Sequence, residues 1–165
     1  MAVFALSASA QSIIGKWATE PQTEDEGKIV YVFNFKDKNS IEFGAECDMS
    51  DEEVILNFEI IIKGTYKHDG NQLSVAFKKQ DAQFNIKKVD LVGEDAALYE
   101  NNPDLKNEMI KVVKNMIESQ KDTLLEDLPS EDCNMTILEL TDTTLKLVDK
   151  EDESVTDLHR VKQRK

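Results

Sequence analysis

Groups able to do acid–base, nucleophilic or metal chemistry are few in kind and scattered along these 165 residues. The two histidines are His68 and His159. A serine or cysteine nucleophile needs a base within hydrogen-bond reach and a third group to orient that base. Neither histidine stands in a motif that supplies them. His68 lies in the turn His68-Asp69-Gly70-Asn71 and reads as solvated; His159 lies in the final strand and reads as a rim residue. No Gly-x-Ser-x-Gly, P-loop or Gly-rich phosphate cradle is present. With 33 acidic residues, carboxylate pairs of the glycosidase kind arise from abundance alone. Two acidic runs, Asp48, Asp51, Glu52 and Glu53, and Asp149, Glu151, Asp152 and Glu153, carry the oxygen ligands that Ca²⁺ takes. Neither follows the EF-hand spacing, and the second lacks the central glycine and has Arg160 at its twelfth position. Both read as solvated turns. The expectation is a chain with no catalytic residues, no metal site and no cofactor, hence not an enzyme.

Cys47 and Cys133 are the remaining reactive pair. In an exported chain an even number of cysteines invites a disulfide. Core strands also use small buried thiols freely. If strands alternate strictly up and down, the two cysteines fall at opposite ends of the fold, far beyond the ~7 Å Cα separation that a bridge tolerates. A bridge then requires the helical segment between them to carry the chain back. Both readings stand at this point.

The bulk numbers bound the class. Hydrophobic residues make up 40% and charged residues 32%, a soluble globular composition long enough for one domain with a real core. A net charge of −13 opposes nucleic acid and anionic lipid surfaces. No stretch approaches the ~20 apolar residues of a membrane span, so no membrane insertion is expected. Residues 1–10 stand apart. Val3 to Leu6 are apolar and Ala8-Ser9-Ala10 fits the small-x-small pattern cut before Gln11, although the basic leader region is missing. The segment is expected to be a signal-peptide remnant, the domain to run over 11–165, and the protein to be exported, periplasmic or secreted.

Behind these residues the elements are legible. From Ile13 to Phe84 apolar residues alternate with period two: Ile29, Tyr31, Phe33, Phe35; Ile41, Phe43, Ala45, Cys47; Val54, Leu56, Phe58, Ile60, Ile62; and Leu73, Val75, Phe77. Turn chemistry separates them at KDKNS, HDGN and KKQDAQ. Over about 102–128 the period becomes helical, with Leu105, Met109, Val112, Val113, Met116 and Ile117 on one side, Asn102 as N-cap and Pro103 at the first position. Strand patterning returns over Asn134–Leu140, Thr144–Val148 and Val155–Val161. Closing such a meander removes its edges and hides its apolar face. The expected fold is therefore mostly β: a single up-and-down antiparallel barrel of about eight strands with one inserted amphipathic helix, the alternative being a two-sheet sandwich.

Gly15-Lys16-Trp17 at the entrance to the first strand resembles the G-x-W motif of lipocalins and other calycins. GTYKHDGNQLSVAF (Gly64 to Phe77) and ILELTDTTLKLVD (Ile137 to Asp149) are similar to short exported bacterial lipocalin-like domains. The central lipocalin motif is not recognisable. The resemblance implies that Trp17 packs across the closed end beneath Arg160 of the last strand, with Gly15, Trp17 and Arg160 as the structural signature.

An eight-stranded barrel is just wide enough to hold one small ligand or to be filled by side chains. Tyr31, Phe33, Phe35, Phe43, Phe58 and Phe77 are the interior candidates, and walls of this kind suit an apolar or amphipathic guest. The leading expectation is a non-enzymatic carrier of a small hydrophobic ligand. The alternative is an interaction module with a solid core that acts through its acidic loops or its helix, for example by dimerising through Met109, Val113 and Met116. Ligand identity and oligomeric state are not readable from the sequence.

Overall fold

Period-two segments become ladders. The computed structural model describes residues 12–24, 27–94, 96–126, 128 and 132–162; the expected signal remnant lies outside them. The strands are β1 (Gly15–Ala18), β2 (Gln22–Glu24), β3 (Gly27–Phe35), β4 (Ser40–Asp48), β5 (Val54–Asp69), β6 (Gln72–Phe77), β7 (Gln83–Leu91), β8 (Asp132–Leu140), β9 (Thr144–Asp149) and β10 (Val155–Arg160). Every pairing is antiparallel, and the order β1-β10-β9-β8-β6-β5-β4-β3 returns to β1 through Trp17↔Phe33 and its neighbours. The sheet closes on itself as an eight-stranded barrel, which excludes the sandwich.

Two of the eight staves are broken. β1 and β2 lie end to end along β3, pairing Gly15–Ala18 with Val32–Phe35 and Gln22–Glu24 with Gly27–Ile29. β6 and β7 lie end to end along the 16-residue β5, which pairs its C-terminal part with β6 and its N-terminal part with β7. The KKQDAQ segment, expected to reverse the chain, instead forms a single 3₁₀ turn over Lys79–Asp81 and lets it continue in the same direction. Reversal and interruption draw on the same polar residues, so composition did not separate them.

His68-Asp69-Gly70-Asn71 does make a hairpin. Asp69 pairs with Gln72, and Gly70 at φ +60° provides the conformation that two-residue loops need.

Helical residues form α1 (Ala96–Glu100), α2 (Pro103–Ser119) and α3 (Lys121–Glu126), not one helix over 102–128. Asn102 caps α2, its side-chain oxygen accepting the Leu105 N–H at 3.3 Å. α2 lies along β7, where Ile117 is buried and Lys106 pairs with Asp90 at 2.8 Å. Among the described residues β7 has no strand partner besides β5, so the helices stand where a stave would otherwise continue the wall. None of the described helices is long and apolar enough to cross a membrane.

The core is one cluster, drawn from the inward face of every long strand and closed by Ile117 and Leu128 from the helical side. Val112 and Met116 point outward at 58% and 51% exposure, whereas Met109 and Val113 are half-buried. Met109, Val113 and Met116, the three residues expected to form a dimer face, share one side of α2, with Met109 and Val113 half-buried and Met116 exposed.

Candidate functional site

At one end the barrel is sealed. Trp17 is fully buried, and its indole N–H donates to the Ile13 carbonyl at 2.7 Å. The Arg160 guanidinium lies 4.1 Å from the ring centroid, a cation–π stack. The same guanidinium donates to the carbonyls of Asp142 at 2.8 Å, Ile14 at 2.9 Å and Ser12 at 2.8 Å. Gly15 leaves the room: at φ +137°, a Cβ here would stand 2.5 Å from an Arg160 terminal nitrogen. This trio joins the first and last strands.

Above the seal the interior aromatic rings mostly pack on one another. Phe43 stands 5.0 Å from Phe33, 5.9 Å from Tyr31 and 5.7 Å from Phe77 between ring centroids, and Phe35 meets Tyr66 edge-on at 4.9 Å. Phe58 is buried beside Cys47, its cross-strand partner.

A cleft of about 450 Å³ reaches three of the six candidate rings: Tyr31, Phe33 and Phe43 form its floor. One lip is the break after β1, from Thr19 to Gln22; the other is β10, through Val155, Thr156, Asp157 and His159. The break has a local cause. Thr19 donates its backbone N–H to the Tyr31 carbonyl at 2.9 Å, but the Tyr31 N–H turns to the Thr19 hydroxyl oxygen at 3.1 Å. A side-chain oxygen thus occupies the place a backbone carbonyl holds in a regular ladder, and Pro21 has no N–H with which to resume one. The β1–β10 ladder accordingly stops at Ala18↔His159. The result is an apolar floor with a polar rim: His159 lies 3.8 Å from Glu20 across the lips, and Asp157 pairs with Lys146 at 3.0 Å. That pairing raises the Lys146 pKa above its ordinary value, through the hydrogen bond first and the charge second.

The remaining candidates lie apart. His68 engages the Gly70 carbonyl at 2.9 Å in its hairpin, far along the chain from His159. The acidic runs spend carboxylates on their own turns. Asp51 accepts the N–H groups of Glu53 and Val54, both at 2.7 Å, Asp149 that of Glu151 at 2.7 Å, and Asp152 that of Ser154 at 2.8 Å. Hydrogen bonding holds Asp51 and Asp152 below the usual carboxylate range, from the Glu53 N–H and the Ser154 hydroxyl respectively.

The cysteines are both buried thiols. Cys47 stands opposite Phe58 of β5, while Cys133 pairs with Val75 of β6, which stands opposite Tyr66. From Phe58 to Tyr66, at about 3.3 Å per residue, the two levels are separated by about 26 Å along the sheet. The disulfide reading of Cys47 and Cys133 is corrected accordingly: the register keeps them apart, and the helices between them do not carry the chain back to the level of Cys47.

Of the cleft-lining residues, alternation identifies Tyr31, Phe33 and Phe43, and the place of His159 in the last strand makes it a rim residue. Thr19, Glu20, Gln22, Val155, Thr156 and Asp157 were missed. One signal was present: Glu20-Pro21, a proline inside a strand pattern, marks an edge or an interruption.

No family model matches the sequence, and no curated protein does. Among solved structures, that of a lipocalin-like protein from Bacteroides uniformis aligns with 15% identity and a TM-score of 0.44, covering 90% of this chain and 97% of that one. The fold is lipocalin-like in its own right: an antiparallel barrel of eight staves with its tryptophan sealed beneath an arginine of the last strand.

Proposed function

We propose that the protein is a non-enzymatic binder of a small apolar or amphipathic molecule, held in the cleft above Tyr31, Phe33 and Phe43. The observation that carries this reading is the opening of the barrel seam onto three aromatic rings beneath a polar rim, which is the make-up of ligand pockets in general. A volume of about 450 Å³ lies within the usual range for such pockets. A ligand bound there reaches apolar wall with its chain and Glu20, Gln22 or His159 with its head. We also propose that the chain works after export, on the strength of Ala8-Ser9-Ala10; N-terminal sequencing of the recovered protein should begin at Gln11.

The binding test is a panel of fatty acids, fatty alcohols, sterols and haem, read by melting temperature and by Trp17 emission. At 100-fold excess over Kd, one site adds about 2.7 kcal/mol of stability. A saturable rise in melting temperature is expected, and it should be abolished in Thr156→Trp, which fills the mouth. No response to any member of the panel overturns the reading.

A further inference from the structure

The seam is also an open sheet edge. Along β10, Asp149 N–H donates to the Ser154 carbonyl and Arg160 N–H to the Thr143 carbonyl, both at 2.9 Å. In an antiparallel ladder the alternation then turns the backbone groups of Thr156 and Leu158 toward β9, and those of Val155, Asp157 and His159 toward β1. Val161 N–H, donating to the Lys16 carbonyl at 2.8 Å, confirms the phase. His159 is matched by Ala18, and there the ladder ends. Val155 and Asp157 therefore present a donor and an acceptor each into the cleft, and among the described residues no backbone hydrogen bond meets them. Val155 leaves its side chain 55% exposed beside them.

We propose that the cleft takes an extended basic-and-apolar peptide segment, which adds a strand to β10 at Val155 and Asp157. This deepens the reading above and rests on the same cleft. Strand addition uses backbone bonds for affinity and alternate side chains for specificity. With period two, one set of side chains points inward over Tyr31, Phe33 and Phe43, and the other lies at the rim beside Glu20 and Asp157. The rim carries two carboxylates, one of them shared with Lys146, beside the His159 imidazole, on a chain of net charge −13. Cationic residues at the outward positions complement that field, and anionic ones oppose it.

The probes are three capped pentapeptides: Lys-Leu-Lys-Leu-Lys, Glu-Leu-Glu-Leu-Glu, and the lysine peptide with all its lysine and leucine backbone nitrogens methylated, which removes the donors of either strand direction. They are titrated into the isotopically labelled full chain at low salt, with dodecanol as a strand-independent ligand. The lysine peptide is expected to saturate and to slow amide exchange at Val155 and Asp157 at least tenfold. The glutamate and N-methyl peptides should bind at least tenfold more weakly. Val155→Pro, a change that sheet edges tolerate, should lose the peptide and keep dodecanol. If that variant does not fold, the N-methyl comparison on the unaltered chain decides. Equal binding of the N-methyl peptide, or dodecanol binding without peptide binding, overturns the proposal and leaves the small-molecule reading intact. Concentration-dependent dimers that Val155→Pro dissolves, with no peptide bound, show a second copy on this edge and also overturn it. If neither dodecanol nor the peptide binds, the proposal is overturned and the parent reading loses its support.

Discussion

The Arg160 guanidinium satisfies carbonyls from two ends of the chain while lying on the Trp17 ring, so one side chain ties the N-terminal approach to the last strand. Lysine keeps the charge and loses the planar fork that reaches three acceptors at once. Arg160→Lys is expected to cost about 2–3 kcal/mol, from charge-assisted bonds and the cation–π contact, measured by denaturant unfolding. Gly15→Ala should cost about 1–3 kcal/mol for a different reason, because it forces an L side chain into φ +137° against Arg160. In the double variant Gly15→Ala with Arg160→Lys the losses should fall short of additive, since the clash disappears with the guanidinium. Simple additivity would refute the coupling. At this scale much was legible: alternation identified Tyr31, Phe33 and Phe43 as inward, and the G-x-W resemblance singled out Trp17 and Arg160. It did not say which rings face a gap. That depends on where Thr19 turns its hydroxyl to Tyr31 and so parts from β10, whose pairing residues lie some 140 positions downstream.

At the element scale, the breaks in two staves decide where the wall is not sheet. The first opens the cleft. The second, over Lys79–Asp81, brings Lys79 against the helices, where its ammonium donates to the carbonyls of Leu125 at 2.9 Å and Leu128 at 3.0 Å. The Leu125 carbonyl is an acceptor that the end of α3 leaves unmet, the Leu128 carbonyl follows just beyond the helix, and a cation at a helix C-terminus also suits the dipole. Lys121, at the start of the same helix, stands 5.4 Å from the Phe84 ring centroid. Lys79→Met should therefore loosen α3 without unfolding the barrel. Amide exchange in α3 is expected to accelerate about tenfold, corresponding to one lost charge-assisted bond, while exchange in β4 and β5 stays unchanged. Uniform acceleration across the chain would show that the helices and barrel open together. The interruption of the helix at Gln120 was not legible, because the apolar spacing from Ile117 to Leu124 is seven residues and runs through it without a change of phase.

Over the whole molecule, acid acts in two opposing directions. Asp37, Asp51 and Asp152 sit in turns between consecutive strands and Asp48 at the end of β4, and all four are held below the ordinary aspartate value near 3.8. The first causes are, in order, the Ser40 hydroxyl, the Ser50 hydroxyl, the Glu53 N–H and the Ser154 hydroxyl. A carboxylate whose pKa is lower folded than unfolded binds fewer protons in the native state. Its contribution is fully present above the unfolded value and is lost as pH falls through the folded one. Opposing this, protonating a surplus of carboxylates in a chain of net charge −13 relieves self-repulsion, which favours the compact state. Salt separates the two, because long-range repulsion is screened at ionic strengths near 1 M, where the Debye length is about 3 Å, whereas a hydrogen bond within one turn is not. Melting temperature should hold steady or rise slightly from pH 7 to about 5 at low salt, then fall between about pH 4 and 2. At 1 M NaCl the early rise should vanish and the acid fall should persist. Asp37→Asn with Asp51→Asn should lower the neutral plateau and flatten the fall, since those turns no longer have a charge to lose. A fall of unchanged depth in that variant would mean that the turn carboxylates do not set the acid limit of the barrel.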